Sequence, residues 1–161
     1  MEQNKFTTIK YESSLVTFTE IPDEISLCFN ISGCPCLCEG CFEPWLKDDI
    51  GETLTSAVLE AQLARYKYIT CICFMGGDRY YADIAKLVKE IKQTHPRIKT
   101  AMYSGRQEMN ESLSQLLDYY KVGPYIEKFG PLNKLTTNQC LYKKINGEWV
   151  DITYRFQEKK V

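Results

Sequence analysis

Four cysteines fall in one short run, Ser32-Gly-Cys-Pro-Cys-Leu-Cys-Glu-Gly-Cys41, at positions 34, 36, 38 and 41. Four thiols crowded beside two glycines point to disulfides, metal binding or redox chemistry. Eight cysteines in 161 residues is about 5%, below the roughly 8–10% of a disulfide scaffold. The stretch Met1–Lys10 is polar and lacks the apolar segment of a secretory signal. A reducing, cytoplasmic setting is therefore expected, and there metal or redox chemistry outranks a disulfide framework. One histidine, His95, excludes any site built on several histidines; it precedes Pro96 and reads as a helix-end surface residue.

The rest of the chain shows how that run is presented. Ile25–Ile31 reads as a strand, so the cysteine run is a loop at its end. A helix is expected over about Thr55–Tyr66, with Leu59, Leu63 and Tyr66 on one face. Ile69–Met75 is apolar almost throughout and suits a strand covered on both faces; it ends at Gly76-Gly77-Asp78. Ile84, Leu87, Val88 and Ile91 repeat at helical spacing up to Pro96. Ile98–Tyr103 reads as a strand ending at Ser104-Gly105. A further helix follows Asn110, with Leu113, Leu116, Leu117 and Tyr120 on one face, and a short strand precedes Gly123-Pro124. Asn146-Gly147 between Leu141–Ile145 and Trp149–Tyr154 signals a C-terminal β-hairpin.

Strands alternating with helices predict an α/β fold with a mostly parallel sheet, in one domain over 1–161. Ligands of such sheets bind at the carboxyl ends of the strands. The cysteine run, Gly76-Gly77-Asp78 and Ser104-Gly105 should therefore gather on one rim. Lys and Arg total 20 against 21 Asp and Glu, so no basic excess points to nucleic acid. No apolar run approaches the roughly 20 residues of a membrane span.

Cys34, Cys38 and Cys41 fit the spacing C-x3-C-x2-C. Iron–sulfur clusters are held by thiolates, and three ligands to a four-iron cubane leave one iron open. Other readings of the run are a zinc site and a Cys38–Cys41 redox pair. Ordinary buried thiols suit Cys28, Cys71 and Cys73, which lie in apolar strands, better than the loop.

The run 32–41 resembles the signature of radical S-adenosylmethionine (SAM) enzymes and, more narrowly, that of the activating protein of the anaerobic (class III) ribonucleotide reductase. Phe74-Met-Gly-Gly-Asp78 is similar to that family's Gly-Gly-acid motif, and Thr100–Gly105 to its third strand and the Ser/Thr-Gly that follows. Gly123-Pro-Tyr-Ile-Glu127, Thr136-Thr-Asn-Gln139 and the tail from Asn146-Gly147 to Arg155 resemble further elements, in the same order. Two positions depart from the pattern. Cys36 stands where a polar or basic residue is more familiar, and Cys140 follows Asn-Gln in place of Arg.

The resemblance implies a partial (β/α) barrel of radical SAM type. It implies a [4Fe-4S] cluster on Cys34, Cys38 and Cys41, with SAM on the open iron. Gly40, Cys41, Phe42, Gly76, Gly77, Asp78 and Ser104 are the implied SAM contacts. Gly123, Pro124, Tyr125, Asn138 and Gln139 are implied beside SAM or the partner. That partner is the reductase large subunit, on which the enzyme would generate a glycyl radical. Its electron would come from a low-potential donor such as flavodoxin or ferredoxin. Two other functions compete: a small radical SAM enzyme acting on a small molecule, and a zinc or thiol interaction module without catalysis.

Overall fold

A computed structural model describes residues 6–157, so the first five residues of the polar N-terminal stretch lie outside the described residues. Eight strands form one sheet: β1 (Lys10–Thr17), β2 (Ser26–Ile31), β3 (Glu52–Thr53), β4 (Cys71–Met75), β5 (Lys99–Tyr103), β6 (Tyr119–Val122), β7 (Cys140–Ile145) and β8 (Glu148–Asp151). Three helices accompany them: α1 (Ser56–Arg65), α2 (Tyr81–Thr94) and α3 (Glu111–Leu116). The strand order is β3-β1-β2-β4-β5-β6-β7-β8.

The expected mostly parallel sheet is a mixed one. β2, β4, β5 and β6 pair in parallel, and the pairings outside them are antiparallel. The reason is in the connections. A parallel neighbour needs a crossover of a dozen or more residues, usually helical, and α1, α2 and α3 supply one for each step from β2 to β6. No helix lies between β1 and β2 or between β6 and β7, and both pairs run antiparallel.

Local signals place the helices. Thr55 caps α1 by accepting from the Val58 amide at 3.2 Å, and Asn110 caps α3 by accepting from Leu113 at 3.1 Å. The sequence pattern extends α3 too far. It ends at Leu116, and Tyr120 belongs to β6, where the sheet claims it. The second arm of the hairpin is also shorter than expected, because Thr153–Phe156 turns into a 3-10 helix. Asn146 and Gly147, at φ 50° and 78°, make the turn between β7 and β8.

Alternation along the strands divides the core in two. Leu27, Phe29, Ile72, Phe74, Met102 and Tyr120 pack with Leu59, Leu63, Ile84, Val88 and Leu113 of the helices. Cys28, Cys71, Cys73, Ala101 and Tyr119 turn to the other face and pack with Ile21, Leu141 and Ile152. Both faces of the central strands are covered, as their apolar runs require. Among the described residues, no helix is long and apolar enough to cross a membrane.

Candidate metal centre

The cysteine loop leaves the carboxyl end of β2 and is pinned at its base. The Gly33 amide donates to Asp48 O at 3.0 Å, and the Cys34 amide to Leu46 O at 2.8 Å. Ser32 Oγ donates to Ile50 O at 2.7 Å. Buried Leu46, in a 3-10 turn over Pro44–Lys47, anchors the return. Arg79 is exposed, yet donates from Nε to Gly33 O at 2.8 Å and stacks on Phe6. Between these ties the segment 34–42 faces a cavity of about 1190 Å³.

Four expected site positions from the loop line that cavity: Cys34, Cys38, Cys41 and Phe42. So do Gly76, Ser104, Tyr125 and Gln139, from three further rim segments. Gly40, Gly77, Asp78, Gly123, Pro124 and Asn138 are not part of its lining. Gly40 lies against Glu127, and Asn138 Nδ2 donates to Pro124 O at 3.0 Å. Phe42, 71% exposed, holds its ring 5.1 Å from that of Tyr125 at the mouth.

The two adjacent glycines serve different ends. Gly76, at φ +86°, borders the cavity, and a Cβ there would meet only Ile31 O, at 3.4 Å. A Cβ on Gly77 would come within 2.3 Å of Ile84 Cδ1, so its bareness lets the loop close on α2.

Asp78 is a buried hub. Its Oδ1 accepts from Ser104 Oγ at 2.5 Å and Tyr81 Oη at 2.8 Å. Its Oδ2 accepts from the Gly105 amide at 2.8 Å and Cys36 Sγ at 3.3 Å. One carboxylate thus joins the ends of β4 and β5, the start of α2 and the cysteine loop. The Asp78 carboxylate beside Tyr81 helps burial to raise the phenol's pKa.

The thiols of the loop are not equivalent. The neighbouring Cys36 lowers the Cys34 thiol to a pKa of about 6, against 9.0 for an ordinary cysteine. The same contact, with burial and Asp78, pushes Cys36 up. Cys36 is wedged against the chain, and a Cβ on Gly105 would lie 2.7 Å from its sulfur. The lowered pKa favours the thiolate of Cys34, the form that binds metal.

Sequence reasoning missed a second wall. Across parallel β4, β5 and β6, Met75 pairs with Tyr103 and Tyr103 with Lys121, and all three line the cavity. Lys121 is 7% exposed, and its Nζ donates to Ser104 O at 3.1 Å and Gly123 O at 2.8 Å. The available signal was a lone charge between Tyr120 and Val122 at the carboxyl end of an apolar strand. A smaller hollow of about 730 Å³ between α2 and α3 carries no cysteine.

A family described as the 4Fe-4S single cluster domain matches residues 25–137, which include the strand before the thiol loop, the loop and the rim segments after β4, β5 and β6. The chain belongs to that family. Comparison with curated proteins and with solved structures gave no significant match. The donor set suits a [4Fe-4S] cluster: thiols on one loop, one of them with a lowered pKa, facing a cavity large enough for a cubane. Among the described residues, no three His, Cys, Asp or Glu side chains gather round the position of a single ion. A cubane asks for a different arrangement, with each thiolate on an iron of its own.

Proposed function

We propose that this iron–sulfur protein is a radical SAM activase that generates the glycyl radical of the anaerobic ribonucleoside-triphosphate reductase, acting in the cytoplasm. The observation that carries this reading is the extent of the cavity beyond the thiols. It runs from Cys34, Cys38 and Cys41 to the carboxyl ends of β4, β5 and β6, leaving space for a second molecule next to the open iron. Pockets for such molecules take roughly 300–1000 Å³. Three ligands, at 34, 38 and 41, match the need for that open position. The parallel order of β2, β4, β5 and β6, each step joined by a helix, supports the partial barrel of this reading.

A cluster held by Cys34, Cys38 and Cys41 would supply the single low-potential electron that reductive cleavage of SAM requires. The chain's own residues bind and orient. Gly76 presents bare backbone to the ligand. Phe42 and Tyr125 offer aromatic faces at the mouth for an adenine. Asp78 holds Ser104 and Gly105 in place and so acts as a positioning residue. The exposed mouth, with Leu37 and Phe42 each 71% exposed, receives the glycine loop of the reductase large subunit. Flavodoxin or ferredoxin is the proposed electron donor.

The deciding experiment is anaerobic reconstitution with iron and sulfide, reduction, and EPR with and without SAM. A reduced [4Fe-4S] signal that changes when SAM is added supports the radical SAM class. A glycyl radical on the added reductase subunit supports the activase. A SAM-responsive cluster that cleaves SAM but yields no protein radical would favour a small-molecule substrate. A protein that takes up one zinc and no cluster would overturn the reading altogether.

A further inference from the structure

We propose that Lys121 is the buried countercharge of the iron–sulfur cluster and raises its reduction potential. The inference rests on the cluster, not on the identity of the activase's partner. β6 brings Lys121 to the face of the sheet opposite the helices, in one row with Met75 and Tyr103. That row and the loop thiols Cys34, Cys38 and Cys41 border the same cavity.

The ammonium has three N–H donors. Two reach neutral carbonyls, Ser104 O and Gly123 O. No ion pair among the described residues includes Lys121. A buried charge held only by neutral groups is unfavourable, and a nearby anion relieves it. Burial pulls the Lys121 pKa down to about 8, while Cys38, Asp78, Cys36 and Cys34 act on it in the opposite sense. Those thiols are the side that becomes anionic when a cluster is loaded, and one-electron reduction adds further negative charge. An ammonium across the cavity favours the reduced form. A lysine that merely pinned two loops would have no such effect.

The test is a redox titration of the anaerobically reconstituted protein, followed by EPR of the reduced cluster, for wild type, Lys121→Met and Lys121→Arg. SAM affinity is measured on the same samples. Lys121→Met is expected to shift the reduction equilibrium at least tenfold toward the oxidised cluster, about 59 mV lower for one electron. Lys121→Arg keeps the charge and is expected to stay near wild type. If Lys121→Met loses the cluster, Lys121→Gln, which retains a donor without charge, is read in its place, with the same shift expected. An unchanged potential in the neutral variant overturns the inference. So does an unchanged potential with weakened SAM binding, which would assign the lysine to the ligand. An equal shift in Lys121→Arg would trace the effect to shape and overturn it too. Wild type that assembles no cluster overturns the cluster reading itself and is thereby distinguishable.

Discussion

Two groups of cysteines in this chain behave in opposite ways. Cys28, Cys71 and Cys73 lie inside strands, at most 2% exposed, on the face of the sheet away from the helices. Burial drives the thiols of Cys71 and Cys73 well above the ordinary cysteine pKa, and Cys73 Sγ sits 3.5 Å from Met75 Sδ. Cys34 begins only three residues beyond β2, yet its pKa is about 6. The same side chain is packing in one place and a ready ligand in the other. What changes is how deeply the thiol is buried, which outweighs even the contact of Ser26 with Cys71, and whether the loop can turn the sulfur toward open space.

The largest expected effect separates the groups outright. Cys34→Ala, Cys38→Ala and Cys41→Ala should each abolish cluster assembly, measured as bound iron and sulfide. Cys73→Ala should keep full occupancy. Loss of the cluster in Cys73→Ala would break the comparison.

Next in size is the hub that ties the cysteine loop to the rim. Asp78→Ala strands Ser104 Oγ, the Gly105 amide and Tyr81 Oη, and should destabilise the apoprotein by about 3 kcal/mol in urea titrations. A neutral result would show that the rim stands without it. Cys73→Ala should cost about 1 kcal/mol in the same assay, the loss of one small buried group.

The smallest effect sharpens the contrast in the apoprotein by pH. Cys34 is depressed on folding, from 9.0 to about 6. Its contribution is complete above pH 9 and is lost as pH falls through about 6. Urea midpoints should decline over that interval in wild type and less so in Cys34→Ser. Cys36→Ala removes the neighbour that lowers the Cys34 pKa, so iodoacetamide labelling of Cys34 should shift to higher pH while the cluster still assembles. If Cys36→Ala alone lost the cluster, Cys36 would be a ligand.

Much of this could be read directly from the chain. Thr55 and Asn110 announce α1 and α3, and Asn146-Gly147 announces its turn, because caps and turns depend on neighbours a few residues away. The antiparallel flanks of the sheet could not. β1 has no local feature that says which strand it will join, and strand pairing is set across distance. Likewise the carboxylate of Asp78 reads as a ligand contact in sequence, and only the folded chain shows it occupied by four protein donors.

The sequence by itself determined the thiol loop. The spacing of Cys34, Cys38 and Cys41 on a short glycine-bearing segment limits what can bind there, whatever surrounds it. Only the tertiary structure decided that Cys36 serves Cys34 and Asp78, and that Lys121 faces the same cavity from a strand some eighty residues further on. Ligand spacing is a property of covalent neighbours. The environment of a thiol or an ammonium is made by groups remote in sequence, which meet only when the sheet assembles.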